Sequence, residues 1–543
     1  MSSYPQGSDP VDVIIIGGGI TGIVCALELL DAGRRVLLLD RDEEENFGGL
    51  AKESFGGMFF VGTPEQRRAK VADSVDLALE DWRAFAEFEP EDHWPQRWAE
   101  YYVHQCTELG YRWLRSLGIR FFPVPHWVER GLNTRGNSAP RFHLVWGTGQ
   151  ELARVLVERL LAHPQRARLA LRFGHRVERL LATNGTVTGC AGRTEGDGAE
   201  FEARGECVVV AAGGANGSIA RVKAHWHRDW GSPPQTILNG SHRYADGRLH
   251  DAAEATGARV THMDRMWNYA AGVHHFRPRK PDHGLSLVPP RSALWLDARG
   301  ERILPALVTG FDTRDLVTQV ATRAGGYSWQ LLNRRIALKE LAVSGAEFNP
   351  SIRDKRWLAF LRDVVLGNRW LYDTLTQHCV DFVLGDSIDD LAAKMNTLAG
   401  TQAVDAAQLR ATLERYDRAV ARGAPWEDEQ LRRIDALRAY RGDRIRTAKS
   451  QRILDPGGLP LIAIREFVIS RKSLGGIQTD LACRALDATG TPISGLYAIG
   501  EAAGFGGGGM HGLRALEGTF LGGCILTGRA AAASISATAV PSR

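Results

Sequence analysis

The chain lacks the marks of several large protein classes. Its seven cysteines, Cys25, Cys106, Cys190, Cys207, Cys379, Cys483 and Cys524, are scattered over 543 residues, and none form a CxxC. An odd, dispersed set argues against a disulfide framework and against a cysteine-built metal site, so no metal is expected. The lack of CxxCH excludes a haem attached in that way. No run of about 18 apolar residues is present, so no transmembrane helix is expected. The start, Met1 to Pro10, is polar and has no basic-then-apolar pattern of an export signal. An excess of one charge is also missing. The 67 basic and 63 acidic residues leave a formal net charge of +4, too small to argue for a nucleic-acid partner. These absences lead to the expectation of a soluble, cytoplasmic protein in a reducing compartment.

What is present is ordinary for a globular chain: 44% hydrophobic, 24% charged and 8% aromatic residues. At roughly 100–200 residues per domain, the length suggests two or three domains. Glycine is the outlier, with 60 residues, or about 11% against a usual value near 7%. The excess gathers in a few clusters, which suggests sites lined by backbone.

The strongest signal lies in the first forty residues. Val11–Ile16 is a continuous apolar, β-branched run and reads as a buried strand. Gly17-Gly18-Gly19-Ile20-Thr21-Gly22 follows and fits GxGxxG. A helix comes next, with Ile20, Ile23, Val24, Leu27 and Leu30 at helical spacing and Gly33 ending it. Arg35–Leu39 reads as a second buried strand that ends at Asp40. Each part has a physical task. Gly17 permits a tight turn, Gly19 lets backbone approach a pyrophosphate, and Gly22 allows close helix–strand packing. The helix N-terminus attracts the anion, and Asp40 accepts from a ribose. Strand, fingerprint, helix, strand and acid in order indicate a dinucleotide site. The fingerprint alone does not separate NAD from FAD. A second glycine loop, Asn46–Ser54 (NFGGLAKES), follows at once and suits the longer FAD.

Further elements lie along the chain. Arg176–Leu180 and Glu206–Ala212 read as strands, the second running into Gly213-Gly214. Asp246-Gly247 marks a loop, followed by a helix through Ala252, Ala255 and Ala258. From about Trp267 the strand–helix alternation stops, which suggests an insertion. Ile388–Leu398 and Ala406–Ala421 read as helices within it, and the arginine-dense 432–446 as a solvated helix face. Near the C-terminus, Gly495–Ile499 reads as a strand with Gly500-Glu501 at its end. Gly518-Thr519-Phe520-Leu521-Gly522 then leads into a small-residue helix, Cys524–Ser536.

The motifs GGGITG…D, GGLAK, VVVAAGGANG, ARGERIL…FDTRD, SLGGIQTD and GLYAIGEAAG together resemble the flavoproteins of the fumarate reductase and 3-ketosteroid dehydrogenase superfamily. The segment Leu481–Leu526 is most similar to ketosteroid-dehydrogenase-like FAD-binding dehydrogenases. The resemblance covers nearly the whole chain. It implies an α/β protein, with a Rossmann-like FAD-binding domain (1–266 and 446–543) split by an inserted α+β capping domain (267–445). It also implies a small-molecule substrate held at the flavin, and an external electron acceptor. The expected activity is FAD-dependent desaturation of a C–C bond next to a ketone. The alternatives are fumarate-reductase-like reduction of an unsaturated carboxylate and a flavin-binding sensor without turnover.

By position, the resemblance assigns Gly17, Gly19, Gly22 and Asp40 to the ADP portion, with Ile20, Thr21 and Arg41 beside them. Gly48, Gly49, Leu50 and Ala51 would lie near the pyrophosphate and flavin. Val177 would border the adenine, and Ala212 and Gly213 the phosphates; Asp246 is counted with this lining. Gly500 and Glu501 would face the ribityl chain, and Gly518, Thr519 and Leu521 the pyrimidine edge. No histidine occupies Gly48–Ala51, so the expected FAD is noncovalent.

For catalysis, Arg314 matches the proton-delivering arginine of fumarate reductases, with Asp315 as a relay partner. Arg514 stands where ketosteroid dehydrogenases carry a carbonyl-binding tyrosine, and one residue from the substrate arginine of fumarate reductases. Lys472 replaces a substrate-binding histidine of the latter, which breaks the fumarate pattern. His511 is a candidate acid or base. Tyr327 and Tyr269 are candidate donors of the ketosteroid type. Trp127, Trp146, Trp267, Trp295 and Trp329 are candidates to line an apolar pocket.

Overall fold

The structure is a computed structural model and describes residues 11–537. The polar start, 1–10, lies outside the described residues. The run VDVIII forms β1 (Val11–Ile16), and the helix after the glycine turn is α1 (Ile20–Asp31). α1 is buried along nearly its whole length, Ile23, Val24 and Leu30 completely. Each such aliphatic side chain contributes about 1.5–3 kcal/mol, which fixes the helix against the sheet. β2 (Val36–Leu39), β3 (Leu169–Arg172), β4 (His175–Thr183), β5 (Thr186–Thr194) and β6 (Glu200–Val210) follow.

The middle segment builds a second sheet. It contains β7 (Met266–His274), β8 (Gly284–Val288), β9 (Leu294–Leu296), β10 (Ser328–Asn333), β11 (Phe382–Gly385) and β12 (Leu461–Ser473). A surface helix, α2 (Trp357–Leu366), lies between β10 and β11. The chain then returns through β13 (Arg484–Leu486) and β14 (Pro492–Ala498) to a long helix, α3 (Thr519–Ala537).

The first sheet has eight strands, with the order β13-β14-β6-β1-β2-β3; β5 branches from β6 and pairs β4. β14, β6, β1, β2 and β3 run parallel. Ile14 lies opposite both Leu37 and Val208. Strands that are apolar on both faces suit a parallel sheet covered on both sides. The second sheet also has eight strands and centres on β12, with β7 and β10 antiparallel on its two sides. Its central strand, 461–473, comes from beyond residue 445.

Several element ends differ from the sequence reading. β6 starts earlier and stops at Val210, which leaves Ala211 to Gly214 as loop. The helix expected through Ala258 ends at Glu254, because Gly257 takes a positive φ of 93° and turns the chain. α3 starts five residues earlier than expected, at Thr519. By length and composition α3 is the one described helix apolar enough to cross a membrane, which by itself is weak ground for a transmembrane segment. Here most of it is buried. A Cβ built on Gly528 would lie 2.9 Å from the Thr21 carbonyl oxygen, so small residues let α3 and α1 approach closely.

Candidate functional site

An elongated pocket runs from the turn after β1 to the start of α3. At one end the turn is held by backbone. Gly18 donates its N–H to Asp40 Oδ2 at 2.6 Å, and Asp42 donates to Asp40 Oδ1 at 2.8 Å. Burial pushes the Asp40 carboxyl above the usual range, while these N–H groups pull the other way. Gly17 has φ 118°, and a Cβ there would fall 2.3 Å from the Ala211 carbonyl oxygen. No other residue fits. A Cβ on Gly22 would strike Gly17 O at 2.1 Å, so Gly22 serves packing and does not line the pocket. A Cβ on Gly19 meets nothing within 4 Å. That open face, at the N-terminus of α1, is where backbone meets an anion.

Beyond the turn, Arg41 donates to Asp246 Oδ2 at 2.8 Å and to Glu195 Oε1 at 2.5 Å, and lies over the Tyr244 ring. Val177 lines the pocket beside them. This end offers an apolar strand residue, an aromatic edge and paired charges, which suit a flat base and its ribose.

The middle of the pocket is narrow and backbone-lined. Gly48 donates to Gly18 O at 2.9 Å, which ties the second glycine loop to the first. Gly49, Leu50 and Ala51 on one side and Ala212 and Gly213 on the other form the walls. Glu501 closes the floor. Its Oε1 accepts from Ser473 N–H at 2.9 Å, and a Cβ on Gly214 would lie 2.3 Å from that oxygen. Burial pushes the Glu501 carboxyl up to about 7. The cradle therefore has a length, an anion-friendly turn and a polyol-facing carboxyl that fit FAD.

Three side chains converge at the far end. Tyr269 of β7 donates its hydroxyl to Glu517 Oε1. Trp267 Nε1 donates to the same oxygen at 2.8 Å. Lys472 of β12 donates from Nζ to the Tyr269 oxygen at 3.4 Å and lies 4.0 Å over the Phe520 ring. Tyr269, Lys472 and Glu517 all line the pocket, among Phe142, Phe505, Phe520 and Leu521. Burial pulls the Lys472 ammonium down to about 8, with Glu517 opposing. Burial and the charge of Glu517 push the Tyr269 phenol well above its usual value. A phenol between a carboxylate and an ammonium is arranged to move a proton.

Other expected residues are elsewhere. Arg314 does not line the pocket. It donates to Asp229 Oδ2 at 3.0 Å and lies 3.2 Å from His227 Nδ1. The expected partner Asp315 instead donates its N–H to Asp312, the N-cap of the helix Thr313–Ala321. Arg514 is also outside the pocket lining, held by Asp312 at 3.2 Å and Glu87 at 2.6 Å. His511 is fully buried, stacked on Trp82, with Nε2 2.9 Å from Thr519 Oγ1. Burial pushes it down to about 3, so it is neutral and sealed from the pocket. Thr519 is turned towards it, and Gly500 donates its N–H to Thr527 Oγ1 at 2.9 Å; neither lines the pocket. Tyr327 packs between Trp329 and Phe467. Trp127, Trp146, Trp267, Trp295 and Trp329 do not line it either.

Sequence reasoning missed Glu517. Its only signal was an acid directly before the Gly518-Thr519 helix start.

Comparisons with known proteins identify the family. The model of the FAD binding domain matches residues 12–521. A KsdD-like steroid dehydrogenase of Mycobacterium tuberculosis is 42% identical over 98% of this chain and 97% of its own length. A fumarate reductase (cytochrome) of Shewanella frigidimarina is 23% identical over 98% of this chain and 77% of its own. The fold is similar to the crystal structure of 3-ketosteroid Δ1-dehydrogenase from Sterolibacterium denitrificans. There the TM-score is 0.68 and the identity 16%, covering 98% of this chain and 100% of the other. The chain belongs to the FAD-binding-domain family of flavoprotein oxidoreductases, and its cofactor is FAD.

Proposed function

We propose that the protein is a dehydrogenase that desaturates a C–C bond next to a ketone in an alicyclic, steroid-like substrate. The reading rests on the convergence of Tyr269, Glu517 and Lys472 at one aromatic end of the pocket. The M. tuberculosis relative is named a steroid dehydrogenase, and the S. denitrificans enzyme was solved with 1,4-androstadiene-3,17-dione, which supports this substrate class.

FAD, held noncovalently, supplies hydride exchange when bound. Gly17, Gly19, Ile20, Thr21, Asp40 and Arg41 bind its ADP portion, with Val177 and Asp246 at the adenine end. Gly48 to Ala51, Ala212, Gly213 and Glu501 hold the phosphate and ribityl parts. Tyr269 takes the proton from the carbon next to the ketone at its phenol oxygen, while its own proton passes to Glu517. Lys472 faces that oxygen and offsets the charge that grows on it. Phe142, Phe505 and Phe520 keep water away. Bound FAD would accept the neighbouring hydrogen as hydride and give the two electrons up to an external acceptor.

Reduction of a small carboxylate is disfavoured. The two arginines that reading needs, Arg314 and Arg514, are paired with carboxylates away from the pocket. We place the chain in the cytoplasm, in keeping with seven cysteines that are all free thiols. The FAD-binding part comprises 1–266 and 446–543, and 267–445 caps it, with the strand 461–473 reaching across to form the centre of the cap's sheet.

Anaerobic mixing with a panel of cyclic ketones, enones and fumarate tests the reading. Cyclic ketones should bleach the flavin. Bleaching by no ketone, with reoxidation of reduced flavin by fumarate, refutes it.

A further inference from the structure

The arginine-dense stretch 432–446 is not one solvated face. It folds as parts of two short helices, Glu429–Ala439 and Arg441–Arg446. Leu431, Ile434 and Leu437 of the first are completely buried, which turns part of the charge inward. Asp443, 3% exposed, lies at the centre of the group that forms.

Four guanidiniums gather at the end of the second helix. Arg130 donates to Asp443 Oδ2 at 2.6 Å, and Arg291 donates to Asp443 Oδ1 at 2.7 Å. Arg291 also donates to Thr447 Oγ1 at 2.6 Å, and Arg438 donates to the Thr447 carbonyl. Arg446 is part-buried and stands three residues after Asp443, on the same side of the helix.

The charges do not balance. Asp443 is already shared by Arg130 and Arg291. The next carboxyl, Glu340, accepts from Ser292 Oγ at 2.6 Å and from Ala448 N–H at 2.7 Å, and burial pushes it up, towards its neutral form. Among the described residues Arg446 has no ion pair and no hydrogen bond. One terminal nitrogen of Arg130 is buried without a partner. Burial, and then the charge of Arg291, pull the Arg446 guanidinium below its usual value. A desolvated cation without a counter-charge is costly, and such groups concentrate at functional sites.

The cluster adjoins the reactive end of the pocket. Burial, and then the charge of Arg446, pull His126 down to about 3, so it adds no charge of its own. Its ring lies 6.4 Å from that of Phe142, and Phe142 lines the pocket with Tyr269 and Lys472.

We propose that Arg446, Arg130 and Arg291 form an oxyanion site, and that it takes a carboxylate carried by the ketone substrate at the end away from the reacting carbon. Guanidinium forks match a carboxylate in geometry, and the apolar wall at Phe142 suits a ring system between the two polar ends. Resting on the ketone reading above, this makes the substrate a cyclic keto acid.

The test is titration of the FAD-loaded protein with a ketosteroid carboxylic acid and with its methyl ester, read from the flavin absorption. The acid should bind about tenfold or more tightly than the ester. Arg446→Gln should bind the two alike, with the parent's affinity for the ester and the parent's flavin content. Its melting temperature should be no lower than the parent's, whereas loss of a purely structural arginine would lower it. Equal binding of acid and ester by the parent, or a preference for the acid that survives Arg446→Gln, overturns the proposal. If neither compound perturbs the flavin, the ketone reading fails, and melting curves with acetate and inorganic phosphate decide the site. Stabilisation that Arg446→Gln abolishes upholds the oxyanion site and overturns the substrate carboxylate. No stabilisation, or the same in the variant, overturns the site as well.

Discussion

The two ends of the pocket are built in different ways. At the β1 turn the contacts come from backbone: Gly18 and Asp42 N–H groups on Asp40, the carbonyl of Gly18, and the open face of Gly19. Residues 11–51 supply most of it. At the far end the working atoms belong to side chains from three distant segments, Tyr269, Lys472 and Glu517. Tyr269 and Lys472 meet because β7 and β12 pair, Trp267 opposite Lys472, with register irregularities on both sides of Tyr269. Bulges of this type re-aim a side chain. A site built from backbone depends on local conformation. One built from side chains depends on long-range register.

The comparison predicts opposite signatures for damage at each end. The largest effect belongs to the far end. Tyr269→Phe keeps the ring and removes the hydroxyl between Glu517 and Lys472. Turnover should fall by about 10²–10⁴-fold, with bound flavin and thermal stability unchanged. Steady-state rates and the 450 nm region of the absorption spectrum check both halves. Unchanged turnover would remove Tyr269 from the reaction and leave the far end without a proton carrier.

The turn should fail the other way. Gly17→Val places a β-branched side chain at φ 118° and within 2.3 Å of Ala211 O. A residue held in such a region costs about 1–3 kcal/mol, before the clash is counted. The variant should purify with substoichiometric flavin and a lower melting temperature, and turnover per bound flavin should stay near that of the parent. A fully loaded variant would show that the turn does not set flavin affinity.

The same division explains what the sequence disclosed. Strand, glycine turn, helix and acid were legible because each constraint is local: an apolar run, a positive φ, a packing contact. Asp40, Gly48 and Glu501 line the pocket. The reactive end was only partly legible. Tyr269 and Lys472 could be named, but nothing nearby in the chain joined them to Glu517, 45 residues beyond Lys472. Arg314 and Arg514 carried motif signals, yet their side chains are spent on Asp229, Asp312 and Glu87. His511 stood in a glycine loop, and burial against Trp82 took it out of reach.

The smallest effect lies where the two ends meet, at Glu501. Burial holds its carboxyl near 7, against an ordinary value of 4.5. Between these values the folded flavin-free protein keeps a proton that the unfolded chain has lost. The folded state then binds more protons, so stability falls as pH rises from 4.5 to about 7 and levels off above. The loss amounts to about 3 kcal/mol across the window. Glu501→Gln keeps the shape and cannot ionise, so its melting temperature should lack that decline, and the two curves should separate most near neutral pH. Parallel curves from pH 5 to 7.5 would mean that water reaches this carboxyl. The floor of the pocket would then belong with the exposed adenine end and not with the dry end that holds Tyr269.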